Sequence, residues 1–175
     1  MPKRRMKRHA VSQPLDTSYR FIALTRNQNA IVDARDFEWL DQWNWFAVWN
    51  PYTRSFYAYR CVKTKNRGMH CVILGCKNGK QGDHKNHDTL DNRRDNLRKC
   101  TSAQNRCNMK VTRRSTTGYK GVFPYHTKGK WKSQISINDR SKYLGVFSSP
   151  EAAGRAYDEA AKKYYGEFAH LNFPA

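Results

Sequence analysis

The stretch GDHKNHDTLDNRRDNLRKC, residues 82–100, packs three Asn, four Asp and two His among interleaved Arg and Lys. Such a segment offers too little apolar surface for a hydrophobic core, so any structure it has must rest on polar contacts. No other feature of the chain limits the fold as much. Two readings compete for it: a solvated loop, or a metal site acting on a phosphate.

Charge narrows the choice of partner. Lysine and arginine number 33 against 14 acidic residues, a formal net charge of +19 over 175 residues. An excess of that size predicts a polyanionic partner, most often nucleic acid, without separating RNA from DNA or binding from cutting. The length suits one ordinary domain or two small ones. No run approaches the ~18 apolar residues that a membrane span needs, and the basic N-terminus has no apolar stretch behind it. The expectation is a cytoplasmic chain, neither secreted nor membrane-inserted. Five cysteines (Cys61, Cys71, Cys76, Cys100, Cys107) form no C-x-x-C pair. An odd number without a signal peptide argues against a disulfide framework. Zinc held by Cys71, Cys76, Cys100 and Cys107 is disfavoured by gaps of four and six residues, so buried free thiols are expected.

Five of the first eight residues are basic, and residues 1–18 read as a disordered arm able to grip phosphates. YRFIALT and NAIVD around RNQN predict a hairpin. DARDFEWLDQWNW places Phe37, Leu40 and Trp43 at helical spacing, with Asp36 as the cap. WFAVWN and SFYAYRCV read as strands about the turn PYTR, their aromatics as core rather than base-stacking surface. GMHCVILGC predicts a strand over residues 69–74. After the polar stretch, TSAQNRCNM predicts a short helix capped by Thr101 or Ser102. KVTRRSTT is small, polar and basic, which predicts a linker over residues 111–117. Beyond it GYKGVFPY, KWKSQISIN and KYLGVF are strand-like, and SSPEAAGRAYDEAAKKYYG is a helix. Its start is open between Ser148, which makes a capping box with Glu151, and Ser149, which precedes Pro150. Ala153, Ala156, Tyr157, Ala160, Ala161 and Tyr164 form its apolar stripe, and Gly166 its stop.

Hydrolysing a phosphodiester at neutral pH needs a water, a group to take its proton, and a cation against the developing negative charge. Asp83 offers a carboxylate, His84 a base with an ordinary pKa near ~6.5, and Asn105 a carboxamide oxygen. In an extended segment Asp83 and His84 point to opposite sides, so one can hold metal while its neighbour addresses the water. Asn105 sits on the following helix, which the turn is expected to bring back toward Asp83. Arg93, Arg94 and Arg98 in the loop are candidate phosphate ligands.

MHCVIL…GDHKNHDTLDNRRDNLRKCTSAQNRCN resembles the HNH endonuclease motif of homing nucleases from bacteriophages and mobile introns. DH-x-N, DNRRDNLR and QN occur in order, with Asn96 thirteen and Asn105 twenty-two residues after Asp83. The lead-in IALTRNQNAIVDARDFEWLDQWNW is similar to the LT-x-G-x-x-A-x-VD-x-x-D segment of the same nucleases, departing at the turn near Asn29. The resemblance implies a ββα-metal module in which His84 is the general base. It implies that Asp83 and Asn105 hold the metal, usually Mg²⁺, with Mn²⁺ as another hard divalent ion. Asn96 then braces the loop and orients the base, while Asn92, Arg93, Arg94 and Leu97 build the loop. His87 matches a loop position, not a ligand, and His70 a recurrent first-strand histidine to which no role is assigned. An Asn in third place makes the donor set oxygen-rich, which favours Mg²⁺ over Zn²⁺. A phage-type nuclease implies the cytoplasm of a bacterial host.

Residues 118–174, with YKGV, KW, YLGVF, EAAGRAYDEAA and LNFP, are similar to the DNA-binding domain of plant ethylene-response factors, the Apetala-type module. That resemblance implies a three-stranded sheet laid in the major groove and backed by one helix. Lys120, Tyr125, Lys130, Trp131, Lys132 and Gln134 are then the readers. Trp131 shares strand parity with Ile135 and Ile137, so core packing is its open alternative. Phe123 and Tyr125 stand where plant members carry Arg; Arg reads guanine bidentately and Phe cannot, so plant target preferences do not transfer. Lys120, Lys130 and Lys132 are expected to anchor phosphates.

The expected fold is α+β. An arm at 1–18 precedes an HNH nuclease domain with a β-rich lead-in at 19–110. A linker at 111–117 leads to an ethylene-response-factor-like domain at 118–175, a three-stranded antiparallel sheet packed on one helix. The expected function is a site-specific, Mg²⁺-dependent endonuclease of the HNH homing type, acting on double-stranded DNA rather than a small molecule. The alternative is a non-catalytic DNA-binding regulator on a nuclease-like scaffold, against which the intact Asp83, His84 and Asn105 speak.

Overall fold

The computed structural model describes residues 9–77, 79–111 and 115–174. The first eight residues of the expected arm, and residues 112–114 of the expected linker, lie outside the described residues. The chain divides into two compact units, the first ending at Thr101 and the second beginning at Ser102.

The first unit opens with an antiparallel hairpin, β1 (Tyr19–Ala23) and β2 (Asn29–Asp33). Its period-two pattern buries Ile22, Ala30 and Val32. Part of the expected free arm is tied to this hairpin. The Gln13 carboxamide donates to Phe21 O and accepts from Phe21 N, both at 3.0 Å, as a paired strand would. The His9 ring meets Asn29 Oδ1 at 2.7 Å.

Helix α1 (Ala34–Asp41) follows without a loop. Its cap position is Asp33; Asp36, expected as the cap, lies in the first turn with its carboxylate turned to Arg94. Strands β3 (Phe46–Asn50), β4 (Ser55–Val62) and β5 (Lys65–Gly68) form an antiparallel sheet. The last of these, KNRG, lacks apolar alternation and gave no signal in the sequence. Trp45 is fully buried, its Nε1 donating to Leu40 O at 2.8 Å. Trp39, Trp43 and Phe56 pack on the same core, so the aromatics are mostly interior, with Trp49 and Tyr52 exposed.

The strand expected over residues 69–74 is instead a helix, α2 (Met69–Ile73). Met69, His70 and Ile73 are all buried. A strand would send the neighbours Met69 and His70 to opposite faces, whereas one helical turn keeps all three on the inner side. Strands β6 (Gln81–His84) and β7 (Leu97–Cys100) then pair antiparallel across the base of the polar stretch.

The second unit contains α3 (Ser102–Asn108) and the antiparallel sheet of β8 (Val122–Pro124), β9 (Trp131–Ile137) and β10 (Arg140–Phe147), backed by α4 (Pro150–Tyr165). Ser149 caps α4, its Oγ accepting from Ala152 N at 3.1 Å with Pro150 as the first helical residue. Small residues on α4 let it lie close to the sheet, where Tyr157, Ala160 and Ala161 pack on Ile135. Tyr165 continues this stripe; Tyr164, placed there by periodicity, is exposed and its hydroxyl accepts from Lys142 Nζ at 2.7 Å.

Asp158, on the buried face of α4, staples the C-terminal segment. Its carboxylate accepts from Asn172 N (2.8 Å), Asn172 Nδ2 (3.1 Å) and Phe173 N (2.8 Å). The Asn172 side chain in turn pairs with both backbone groups of Lys120, at 2.6 and 3.1 Å. Asp158→Ala leaves these donors without their acceptor in a half-buried place. The expected loss is about 3 kcal/mol, read as a lower urea midpoint for the second unit.

Candidate active site

The polar stretch folds by fastening itself to the elements around it. Ile31 N donates to Leu90 O and Asn92 N to Ile31 O, both at 2.8 Å, so the loop runs parallel beside β2. Arg94 is held twice by the start of α1: its backbone N donates to Asp33 Oδ2 at 2.8 Å, and its guanidinium grips Asp36 at 2.7 and 2.9 Å. Burial pushes the Asp36 carboxyl up, but Arg94 and Trp39 Nε1 more than offset it, leaving its pKa below the ordinary value. Thr89 Oγ1 donates to Phe56 O at 2.6 Å, tying the loop to β4.

Within the loop Asn96 is the brace. Its Oδ1 accepts from Asn86 N at 3.0 Å and its Nδ2 donates to Asp91 O at 2.8 Å, while Lys85 N donates to its carbonyl. Asp91 in turn grips Arg93 through both carboxylate oxygens at 2.8 Å. His87 occupies a turn with φ +64°, its N donating to His84 O, as a loop residue does.

Asp83 and His84 are adjacent on β6, both buried, His84 at 4% exposure. Asp83 lies opposite Arg98 in the β6–β7 register, and Arg98 Nε and Nη2 both reach Asp83 Oδ2 at 2.8 Å. Of the three arginines expected to hold phosphates, Arg93 and Arg94 are bound bidentately by Asp91 and Asp36, and Arg98 is paired with Asp83 at 10% side-chain exposure. All three pair with acids in or around the loop, while the Arg93 and Arg94 side chains stay 43% and 40% exposed.

The His84 ring meets Asn92 rather than Asn96, Nε2 lying 3.4 Å from Asn92 Oδ1. Asn92 Nδ2 donates to Leu90 O at 3.0 Å, which fixes the carboxamide with its oxygen toward the ring. An amide oxygen only accepts, so Nε2 carries the proton and Nδ1 is the basic nitrogen. The fully buried Asn92 therefore helps to orient this ring, a task expected of Asn96 in the sequence. Burial lowers the His84 pKa below 6.5, partly offset by Asn92 and the Asp83 charge. The ring is neutral at pH 7, as a proton acceptor must be.

Asn105 lies on α3, within the second unit. Among the described residues no group of three or more His, Cys, Asp or Glu side chains is arranged to hold a metal ion. The expected donors, a carboxylate and a carboxamide oxygen, are hard ligands that fit Mg²⁺ or Mn²⁺. All five cysteines are free, and burial pushes the Cys76 and Cys100 thiols up to about 11. Those two thiols are therefore protonated at neutral pH.

In the second unit, parity sorts the expected readers. Ser133 and Ile135 are fully buried, so their strand face looks toward α4, and half-buried Trp131 shares it. The other face presents Lys132 and Gln134, with Phe123 opposite Lys132 and Tyr143 opposite Gln134. Phe123 and Tyr143 are exposed at 44% and 59%, and Lys132 Nζ sits 5.7 Å from the Phe123 ring. The β9–β10 register, which the sequence does not show, puts Tyr143 beside Gln134. Tyr125 follows β8 and stacks on His126, and Lys130 is exposed in the turn. Lys120, expected as a phosphate anchor, is turned inward. Its Nζ donates to Cys107 O at 2.5 Å and Met109 O at 2.8 Å, closing the C-terminal end of α3, and burial lowers its pKa to about 8. Among the described residues no helix is long and apolar enough to cross a membrane.

Residues 70–107, which include the polar stretch and all but the last residue of α3, match the HNH endonuclease family model. The C-terminal region is similar to plant proteins. An AP2/ERF and B3 domain-containing protein of Oryza sativa subsp. japonica is 48% identical over 56 residues, 32% of this chain and 15% of that protein. The AP2-like ethylene-responsive transcription factor TOE2 of Arabidopsis thaliana is 43% identical over 61 residues, 35% of this chain and 13% of that protein. The Arabidopsis thaliana dehydration-responsive element-binding protein 2D is 47% identical over 58 residues, 32% and 28% of the two chains. The chain spans less than a third of the length of each of these relatives. One polypeptide thus joins a stretch that matches HNH endonucleases to a region similar to AP2/ERF-type DNA-binding domains.

Proposed function

We propose that the protein is a site-specific DNA endonuclease of the HNH homing type. The observation that carries the reading is His84: a buried, neutral imidazole in a fixed tautomer, beside Asp83 and inside the stretch that matches HNH endonucleases. In this reading His84 Nδ1 takes the proton of the attacking water as the phosphodiester is hydrolysed. Asn92 holds the Nε2 proton and Asn96 keeps the loop closed over the strand pair. Arg98 fixes the Asp83 carboxylate from the neighbouring strand. Asp83 would offer a hard carboxylate oxygen to a divalent ion, Mg²⁺ or Mn²⁺, which would offset charge on the phosphate, and Asn105 is the carboxamide donor that the HNH resemblance assigns to the same ion. The open sheet face of the second unit, with Lys132, Gln134, Phe123 and Tyr143, supplies double-stranded DNA affinity and register, with Lys130 beside it. Aromatic rings in place of plant-type arginines suit contact with thymine methyl groups and sugars more than bidentate guanine readout.

The second reading, a non-catalytic DNA-binding regulator, is favoured by the AP2/ERF similarity over about a third of the chain. One assay separates them. The purified chain is incubated with supercoiled DNA carrying a candidate insertion locus, with Mg²⁺, with Mn²⁺ and with EDTA. The nuclease reading expects nicked or linear product with either ion and none in EDTA. DNA that is bound yet stays whole with both ions means the regulator.

A further inference from the structure

Charge is unevenly spread along the first unit. Between Asp41 and Asp83 the chain has no acidic residue and seven Lys or Arg. That stretch builds β3, β4, β5 and α2, so its cations have no acid of their own to answer them. The polar loop is the opposite case, since its arginines are matched by carboxylates.

Two of these cations face each other. Arg60 on β4 and Arg67 on β5 are direct partners in the antiparallel register. Side chains so placed leave the same face of the sheet with Cβ atoms about 5 Å apart, and like charges there repel. Lys65, two residues before Arg67 and opposite Val62, adds a third cation to that face. Among the described residues neither arginine has a carboxylate partner. Burial, and then the Arg67 charge, lower the Arg60 pKa from its ordinary value. Charges on an edge strand also block pairing with other chains, but that task needs neither a half-buried arginine nor two arginines opposed.

Arg60 is held in place despite the repulsion. Its guanidinium carbon lies 3.6 Å from the centroid of the Trp43 ring and 5.7 Å from that of Trp45. Its Nε is buried with no hydrogen-bond partner, a costly state for a donor. An indole on the flat face of a guanidinium leaves the donors at its edge for an anion. Arg67 is exposed, and its hydrogen bond from Nη2 to Cys76 O is long, at 3.5 Å.

We propose that Arg60 and Arg67 together clamp one backbone phosphate of double-stranded DNA. The site lies wholly in the first unit and rests on the DNA partner of the proposed function, not on its chemistry. Arg60, ordered by two indoles, is the fixed jaw and Arg67 the solvent-side one. Each guanidinium donates to the phosphate, whose negative charge removes the repulsion between them. A phosphate contact carries no base sequence, so the clamp adds affinity to any duplex.

The test measures DNA affinity of the full chain in EDTA, where no cleavage is needed, between about 50 and 200 mM salt. The variants are Arg60→Gln, Arg67→Gln and the two combined. Arg54→Gln is the control, removing the same charge at the exposed turn on the other end of β4. Each single clamp variant is expected to weaken binding about tenfold, on specific and unrelated duplexes alike. The combined variant is expected to lower the slope of log affinity against log salt by about one. Arg54→Gln is expected to leave both unchanged. Circular dichroism accompanies each variant, and if Arg60→Gln does not fold, Arg67→Gln decides. A folded Arg67→Gln protein with wild-type affinity and slope overturns the proposal. So does an equal loss from Arg54→Gln, which reduces the effect to net charge. If affinity and slope fall as expected but the wild type cuts no DNA with Mg²⁺ or Mn²⁺, the clamp stands and the nuclease reading falls.

Discussion

His84→Ala is expected to lower the single-turnover rate of DNA cleavage by about 10²- to 10⁴-fold, the range that a positioned general base supplies. Its effect on DNA affinity is expected to be within about twofold, because a ring 4% exposed offers little surface to a duplex. The split matters, since a general collapse of the site would lower both. The pH profile carries a second signature. Burial depresses the His84 pKa below 6.5, so the neutral, proton-accepting form is present above that depressed value. Wild-type cleavage is therefore expected to hold through mildly acidic pH and to fall only as pH drops below the His84 pKa. The alanine variant, lacking the titrating base, is expected to lose that acid limb. Cleavage that survives His84→Ala at wild-type rate would remove His84 from the chemistry.

The polar stretch answers the problem it poses by borrowing order from elements distant in sequence. The lead-in motif VD-x-x-D explains itself through Arg94, since Asp33 takes its backbone N–H and Asp36 its guanidinium. A carboxylate as buried as Asp36 is costly without a partner, so the pair fixes where the loop attaches. The same logic holds at Asp91 with Arg93 and at Asp83 with Arg98. Arginines that composition assigns to DNA are in this stretch the internal counter-ions of the acids among them. Net charge here lies with the lysines and arginines outside the loop.

Local punctuation was legible in the sequence, and distant pairing was not. The β1–β2 hairpin, the short turn before β4, the start of α4 to within one residue and its Gly166 stop all follow from residues within a few positions of each other. Residues 69–74 misled because a short apolar run has no period long enough to separate strand from helix. Burial on one side by the β4–β5 sheet and the β6 strand decides for the helix. Asp83, His84 and Asn96 stand out in the sequence because their order repeats a known motif. Asn92 and Lys120 owe their places to contacts that only the folded chain makes: a carboxamide oxygen on a ring, and a helix end that takes a cation.

Gly121 carries the largest stability effect expected in the second unit, and its test has a built-in control. It adopts φ +74°, where a side chain alone costs about 1–2 kcal/mol. Space is the greater difficulty. A Cβ there would overlap the Tyr157 ring at Cδ2 and Cε2 and lie 2.6 Å from Gln134 O. Neither neighbour can give way: Tyr157 is 3% exposed in the core under β9, and Gln134 N is itself bonded to Gly121 O at 2.9 Å. Lys120, one residue earlier, is clasped by Asn172 on both backbone groups, so the turn cannot slide outward. Overpacking of that kind adds about 1–3 kcal/mol, bringing the expected loss for Gly121→Ala to about 2–5 kcal/mol. Gly118 has nearly the same backbone, φ +75°, but nothing within 4 Å of an added Cβ. Gly118→Ala is therefore expected to cost only the backbone part, about 1–2 kcal/mol. Amide hydrogen exchange on both variants separates the contributions. Protection across β9 and α4 is expected to fall far more for Gly121→Ala, while β1 to β4 in the first unit keep theirs. Equal losses at the two glycines would mean that the Tyr157 ring moves aside, and that the close packing of this turn is not what holds the sheet to its helix.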